Sequence, residues 1–298
     1  MSNLNDEQLL SELKKRFDQN NKSIIELQQL NNELKLVNKK LEDSEALKSH
    51  FISHITNEIV NPFTSILGLS ENILKVEKEN WKKVISMVAL IHSEAFNLDF
   101  QLKNIFIAAK MEAGEIALEI MNVDLRPLVM NVIDKFKIET RKKNISIHLK
   151  FNMDAGKDEP ICFRTDPEKL NLILSNLLSN AVKFSNNKQN INLVVSKSKE
   201  RINFEIQDFG EGIPDENQKI IFDRFKRIND TINSLNSGQG LGLSITKSLL
   251  DMLEGTIELK SEKGKGTIFY ISIPEVQSKG IEGFSSEGVD FLFDEEKI

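Results

Sequence analysis

Asn176, Asn180 and Lys183 recur at i, i+4 and i+7 beside an apolar stripe of Leu170, Leu174, Leu177, Ala181 and Phe184, so one helix edge carries two carboxamides and an ammonium in line. Taken alone, such a line reads as a solvated stripe at the rim of an apolar face, and its context decides whether it is more. Downstream, Ile202, Phe204 and Ile206 alternate along a strand and Asp208 keeps their parity, which aims a carboxylate into a buried face. That burial is costly without a hydrogen-bond donor, and the amino group of an adenine is a fitting one. Gly210 and Gly212 follow directly and let backbone approach a flat ligand closely. Gly238-Gln239-Gly240-Leu241-Gly242 then opens a helical run from Leu243 to Leu253, where glycines present free N–H groups and a positive dipole end to phosphate. Other glycine-rich phosphate motifs fit poorly: there is no G-x-x-x-x-G-K-[ST], and no strand pattern precedes Gly238.

A second polar set lies nearer the N-terminus. Ile52, Ile55, Ile59, Ile66, Leu69 and Ile73 step by threes and fours with Pro62 in the one remaining slot, a heptad seam that buries one face of a helix. Opposite it sit His50 and Asn57, with His54 and Asn61 close beside them and Glu58 next in line. Pro62 just after this polar face predicts a bend.

Phe51, Asn57-Glu58-Ile59-Val60-Asn61-Pro62-Phe63 and Ile66-Leu67-Gly68 resemble the phosphoacceptor box of sensor histidine kinases of two-component systems. The segments NLLSNAVKF at 176–184, DFGEGI at 208–213, FDRF at 222–225 and GQGLGL at 238–243 resemble, in the same order, the ATP-binding boxes of those kinases and their wider ATPase superfamily. The resemblance covers roughly residues 48 to 274. It implies that ATP and Mg²⁺ are the cofactors, with Asn180 holding the Mg²⁺ and Asn176 and Lys183 on phosphate. By the same token Asp208 reads the adenine with Thr267, Arg224 belongs to the ATP-binding set, and Gly210, Gly212, Gly240, Leu241 and Gly242 shape pocket and lid. It also implies a homodimer and a response regulator receiver domain as partner.

The chain departs from that family at the acceptor. Asn57 stands where the family carries its phosphorylated histidine, and Val60 where it carries an arginine. A carboxamide lacks the localised lone pair and near-neutral pKa with which an imidazole attacks a phosphoryl group. Glu58, the base that would prepare a histidine, has nothing here to activate. His54 and His50, one and two helical turns from Asn57, are displaced alternatives, about 5 Å off per turn. Glu58 to Asn61 resembles the E-x-x-[TN] element that orients water on a partner's aspartyl phosphate, so a phosphatase needs no histidine. The remaining alternative is a non-catalytic dimeric switch gated by ATP.

The elements that must position these groups are legible around them. Residues 9–47 lack Pro and Gly and carry Leu13, Leu27, Leu34 and Leu41 on one heptad position, with Phe17, Ile24, Asn31 and Asn38 on the other, which predicts a parallel coiled coil over 1–47. A second heptad train runs from Val84 through Val88, Ile91, Ala95, Leu98, Leu102, Ile105 and Ala109 to a stop at Gly114, so 48–115 reads as a helical hairpin that dimerises into a four-helix bundle. Residues 116–275 read as an α/β sandwich with a mixed sheet, the ATP-binding module of an α+β multidomain chain. Within it a helical pattern spans Val123–Ile138, a strand Asn144–Asn152 alternates with His148 outward, a short helix covers Ile220–Phe225, and a polar lid loop covers Asn229–Ser237. The hairpin Gly255–Ile273 closes the sheet, and 276–298 is a flexible acidic tail in which Phe291 and Phe293 are candidate docking residues.

Composition bounds the rest. With 298 residues, 40% hydrophobic and 28% charged, the chain suits two or three modules with ordinary cores. A net charge of −6 disfavours a nucleic-acid footprint. Cys162 is the one cysteine, expected as a small buried hydrophobe and excluding a disulfide framework. No run of about 18 apolar residues and no signal peptide is present, so a cytoplasmic protein without a membrane span is expected.

Overall fold

The computed structural model describes residues 6–77, 80–153, 159–198, 200–223 and 240–277. It divides into two compact units, residues 1–61 and 62–298. The first is helical from Asp6 onward, within α1 (Asp6–Leu74), and its apolar side chains Leu13, Phe17, Leu27 and Leu34 are exposed. Residues of α1 beyond that point belong to the second unit, where Pro62, Ile66, Leu69 and Ile73 are half-buried and Phe63 and Leu67 exposed, the face the heptad spacing predicts. Pro62 lies within the helix without ending it.

After Lys75–Asn80 comes α2 (Trp81–Ala113), closed by Gly114 in the left-handed conformation at φ 68°. The predicted seam is only partly followed. Val88, Ala95 and Ala109 are exposed, whereas Ser93 and Asn104, off the seam, are buried, because α2 carries a second face packed against the C-terminal module. There Phe136 sets its ring edge-on to both Phe96 and Phe100, at 5.6 and 6.4 Å between centroids. Beside it the Ser93 hydroxyl donates to Glu139 Oε1 at 2.8 Å and accepts from the Lys142 ammonium at 3.0 Å.

The C-terminal module is a five-stranded sheet covered on one face by helices. Its strands β2 (Ser146–Asn152), β4 (Asn190–Ser198), β5 (Arg201–Asp208), β7 (Gly266–Pro274) and β6 (Thr256–Glu262) lie side by side in that order. The β2–β4 pair is parallel and the others antiparallel, the mixed sheet expected. A separate antiparallel ribbon joins β1 (Met121–Asp124) to β3 (Cys162–Thr165). Alternation fixes the buried face: Ile191, Leu193 and Val195, then Ile202, Phe204 and Ile206, then Phe269, Ile271 and Ile273, all point inward. Against them pack α3 (Leu125–Lys135), α5 (Pro167–Phe184) and α6 (Gly242–Met252). Helix α5 is the spine: Leu170, Ile173, Leu174, Leu177 and Leu178 are fully buried on it.

Several expectations are corrected. The Val123–Ile138 pattern begins with strand β1, and the helix breaks at Phe136 before α4 (Lys137–Lys143), because Phe136 is drawn into the α2 contact. Ile220–Asp223 forms turns, bonded Ile220 N–H to Asn217 and Asp223 N–H to Ile220, and not a helix. Phe184, the last residue of α5, is exposed, although its spacing from Leu170, Leu177 and Ala181 placed it on the buried face. Cys162 is exposed: it occupies the outward position of β3 while Phe163 takes the inward one. His148 faces outward as expected. The lid loop, Arg224, Gly238 and the tail with Phe291 and Phe293 lie outside the described residues. Among the described residues no helix is long and apolar enough to cross a membrane.

Candidate functional site

Two carboxylates are buried in the module, and they differ. Asp166 is the N-cap of α5, fully buried, and its oxygens accept from the N–H groups of Glu168, Lys169 and Glu119 with the Lys169 ammonium 3.1 Å away. Every lone pair there has a structural use. Asp208 ends β5 at 6% exposure and receives only backbone donors, Gly210 N–H at 2.9 Å and the Thr267 N–H. Burial pushes its carboxyl above the ordinary carboxylate value and those two N–H groups pull the other way. Among the described residues no basic side chain pairs with Asp208.

The backbone around Asp208 is drawn in tightly. A Cβ on Gly210 would overlap the Phe184 carbonyl, standing 2.7 Å from its carbon and 3.1 Å from the Ser185 nitrogen. Gly212, at φ 66°, abuts the Glu262 carbonyl, and Gly266, at φ 97°, abuts the carbonyl of Asp208. These contacts wedge the loop after β5 between the end of α5 and the β6–β7 turn. The Glu211 carbonyl accepts from Gly264 N–H at 2.6 Å, tying the two loops together.

On the other side of this cradle α5 presents Asn176, Asn180 and Lys183. Asn176 is 2% exposed, its Nδ2 has no hydrogen-bond partner, and its Oδ1 lies 3.3 Å from where a Cβ on Gly242 would stand. The first residue of α6 is therefore laid against the carbonyl oxygen of a buried carboxamide whose Nδ2 is unpaired. Asn180 and Lys183 are half-buried further along, with the Lys183 ammonium 5.3 Å from the Phe184 ring centre. Gly240 takes φ 66°, Leu241 is buried at 1% exposure and Gly242 opens α6. The structure thus gathers Asp208, Gly210, Gly212 and Thr267 at the end of β5, and lays Asn176 against Gly242 where α6 begins after Leu241. An orphaned buried donor, a helix N-terminus and a buried acceptor pair fit the phosphates and base of a purine nucleotide; Asn180 is the described side chain of that set suited to a hard cation.

On α1, Asn61 is exposed, while the side chains of His50, His54, Asn57 and Glu58 lie outside the described residues.

Three supporting residues were not visible in the motifs. Lys143 donates to the carbonyls of Val182, Lys183 and Ser185 at 2.9, 2.6 and 3.2 Å, capping the C-terminus of α5, and burial lowers its pKa against the opposing pull of Glu211. Gln218 Nε2 lies within bonding distance of Ile213 O, Asp215 Oδ1 and Ser261 O, pinning the loop to β6. Ser261 accepts from Ile213 N–H at 2.7 Å and contacts the Thr267 hydroxyl at 2.8 Å. Only Ser261 carried a signal in sequence, a polar residue at the inward parity of Ile257 and Leu259, the same cue that identified Asp208.

Comparison with known proteins agrees with this geometry. Residues 165–277 match the family described as histidine kinase-, DNA gyrase B-, and HSP90-like ATPase. Among relatives, the circadian input-output histidine kinase CikA of Synechocystis sp. is 30% identical over 272 residues, covering 90% of this chain and 35% of its own. The signal transduction histidine-protein kinase BarA of Escherichia coli K12 is 29% identical over 274 residues, covering 90% and 28%. The chain thus spans about a third of the length of these curated relatives. Among solved structures, full-length ShkA in complex with AMPPNP superposes with a TM-score of 0.52 at 22% identity, covering 78% of this chain and 46% of that one, a likeness of fold. Residues 165–277 thus match an ATPase family that histidine kinases share with DNA gyrase B and HSP90, and the relatives that match over the wider chain are histidine kinases.

Proposed function

We propose that the chain binds ATP with Mg²⁺ in the cradle between α5 and the loop after β5, and that it acts as a dimer on the receiver domain of a response regulator in the cytoplasm. The observation that carries the nucleotide reading is Asp208, a buried carboxylate whose hydrogen bonds among the described residues come from backbone N–H groups; the unpaired buried amide of Asn176 on α5 adds to it. Asp208 and Thr267 accept from the base, Asn176, Lys183 and the start of α6 take the phosphates, and Asn180 ligates the cation. Arg224 belongs to the ATP-binding set. Bound ATP supplies a transferable phosphoryl group, and the chain's residues orient it and offset its charge.

Because Asn57 offers no imidazole, we assign the work of α1 to Glu58 and Asn61, which orient water toward the partner's aspartyl phosphate, a phosphatase rather than an autokinase. A nucleotide-gated switch without catalysis is the second reading, favoured by the Phe136 contact through which the ATPase module rests on α2. Dimerisation is supported by the exposed Leu13, Leu27 and Leu34.

The test begins with calorimetric titration of ADP and Mg²⁺ into the protein; absence of binding refutes the nucleotide reading. Incubation with γ-labelled ATP then reports autophosphorylation, and an acid-labile, alkali-stable label mapped to His50 or His54 refutes the phosphatase assignment. Faster loss of phosphate from a phosphorylated receiver domain with wild type than with Asn61→Ala supports it. Equal rates leave the switch.

A further inference from the structure

We propose that Ser261 is the residue that sets base selectivity at this site: it fixes the Thr267 hydroxyl as an acceptor beside Asp208, so that the pocket takes a purine carrying an exocyclic amino group and refuses one carrying a carbonyl there. The inference rests on the nucleotide reading above and goes beyond it to a positioning residue outside the recognised motifs.

The argument starts from register. Asp208 pairs with Thr267 across β5 and β7, and Thr267 pairs with Ser261 across β7 and β6. The three therefore form one cross-strand row at the end of the buried face, directly beyond the apolar row of Ile206, Phe269 and Leu259. Three polar side chains in a line where a core ends must account for every hydrogen among them.

Ser261 has one hydrogen and two lone pairs. One lone pair is taken by Ile213 N–H at 2.7 Å. The Gly266 carbonyl at 2.9 Å has no hydrogen to give, so that contact takes the Ser261 proton. What remains toward Thr267 Oγ1, 2.8 Å away, is the second lone pair of Ser261, and the hydrogen in that contact belongs to Thr267. With its proton committed to Ser261, Thr267 can only accept from a ligand. Asp208 can likewise only accept while ionised. The two together present acceptors to the ligand edge, a match for an amino group and a confrontation for a carbonyl, which leaves buried acceptors facing one another.

Without Ser261 the Thr267 hydroxyl is free to turn and donate to a carbonyl. Ser261 also ties the loop after β5 to β6, so a loss of affinity alone does not separate positioning from support; selectivity does. The experiment measures binding of ADP and of inosine diphosphate, each with Mg²⁺, which differ at that one edge. Wild type is expected to prefer ADP, and Ser261→Ala to narrow the ADP to inosine diphosphate ratio by about fivefold or more, one hydrogen bond's worth. Ser261→Cys keeps the shape, loses most of the hydrogen bonding and is expected to do the same; Ser261→Thr, which keeps the hydroxyl, is expected to retain the ratio. In a Thr267→Val background Ser261→Ala is expected to leave the ratio where Thr267→Val put it. Equal weakening of both nucleotides in the Ala and Cys variants, or the same narrowing with and without the Thr267 hydroxyl, overturns the inference. Failure of wild type to bind ADP instead removes the reading on which it stands.

Discussion

Replacing Gly210 with Ala tests whether the cradle around Asp208 is built by backbone contact. The new Cβ would lie 2.7 Å from the Phe184 carbonyl carbon, whereas ordinary contact begins at 3.4 Å. The carbon alone would require the loop and the end of α5 to part by about 0.7 Å and the carbonyl oxygen, which is nearer, requires more; both sides are backbone, which gives less readily than a side chain. Gly210 is not among the residues at positive φ, so the cost is steric alone. Overpacking of this kind costs about 3 kcal/mol at the rigid end of its range, which lowers the melting temperature of a module this size by roughly 10 °C. Because the Gly210 N–H holds Asp208 Oδ1, ADP affinity falls as well. Gly68→Ala is the internal control: nothing lies within 4 Å of its Cβ, and in the interior of α1 alanine is favoured over glycine by up to about 1 kcal/mol. Thermal unfolding followed by circular dichroism reads both. A Gly210→Ala protein that melts with wild type, or a Gly68→Ala protein that loses as much, refutes the reasoning.

Asn176→Ala removes an unpaired buried amide, so we expect ADP binding to be lost while the melting temperature stays within a few degrees of wild type; calorimetry and a thermal melt on one sample decide it. Lys143→Met leaves three carbonyls at the end of α5 without their donor and is expected to cost about 1 kcal/mol, discounted because the lysine is only half-buried, seen as a lower urea midpoint at unchanged slope. Phe136→Ala empties a side chain that is 3% exposed and is expected to cost about 3 kcal/mol and to speed amide hydrogen exchange in α2 around Phe96 and Phe100. Asp208 gives a pH signature. Its folded pKa lies above the ordinary 3.8, so its contribution to stability is fully present below that value and is lost as pH rises through the raised pKa. ADP affinity runs the other way, falling as acid protonates the acceptor, and Asp208→Asn is expected to flatten both trends.

The strand patterns were legible because alternation is a two-residue rule that burial enforces: Ile202, Phe204, Ile206 and Asp208 lie inward as their parity required. Helix α5 was legible for the same reason at its own period. What was not legible depended on partners far away in sequence. The break at Phe136 follows from rings on α2 about 40 residues earlier, and no local breaker marks it. Strands β1 and β3 are four residues each and pair only with one another, too short for periodicity to register. Cys162 was placed inward by its residue type, which the pairing of β3 overrides. Lys143 reaches the end of α5 from the end of α4, about 40 residues earlier in the chain, a contact no spacing announces.

The site itself was legible through its costs. A fold selected only for packing has no use for a carboxylate at the end of β5 whose charge burial opposes, nor for an amide at position 176 with an idle donor, when leucine would serve α5 better at both ends of that account. Asp166 shows the alternative, an equally buried carboxylate whose every oxygen works for the fold. That difference between the two aspartates is what the proposed nucleotide site rests on. The same reasoning separates the two ends of the chain. The module at residues 165–277 retains its costly groups, while position 57 carries a carboxamide that lacks the lone pair with which an imidazole attacks a phosphoryl group, so the function proposed above rests on nucleotide binding and not on an autokinase reaction at Asn57.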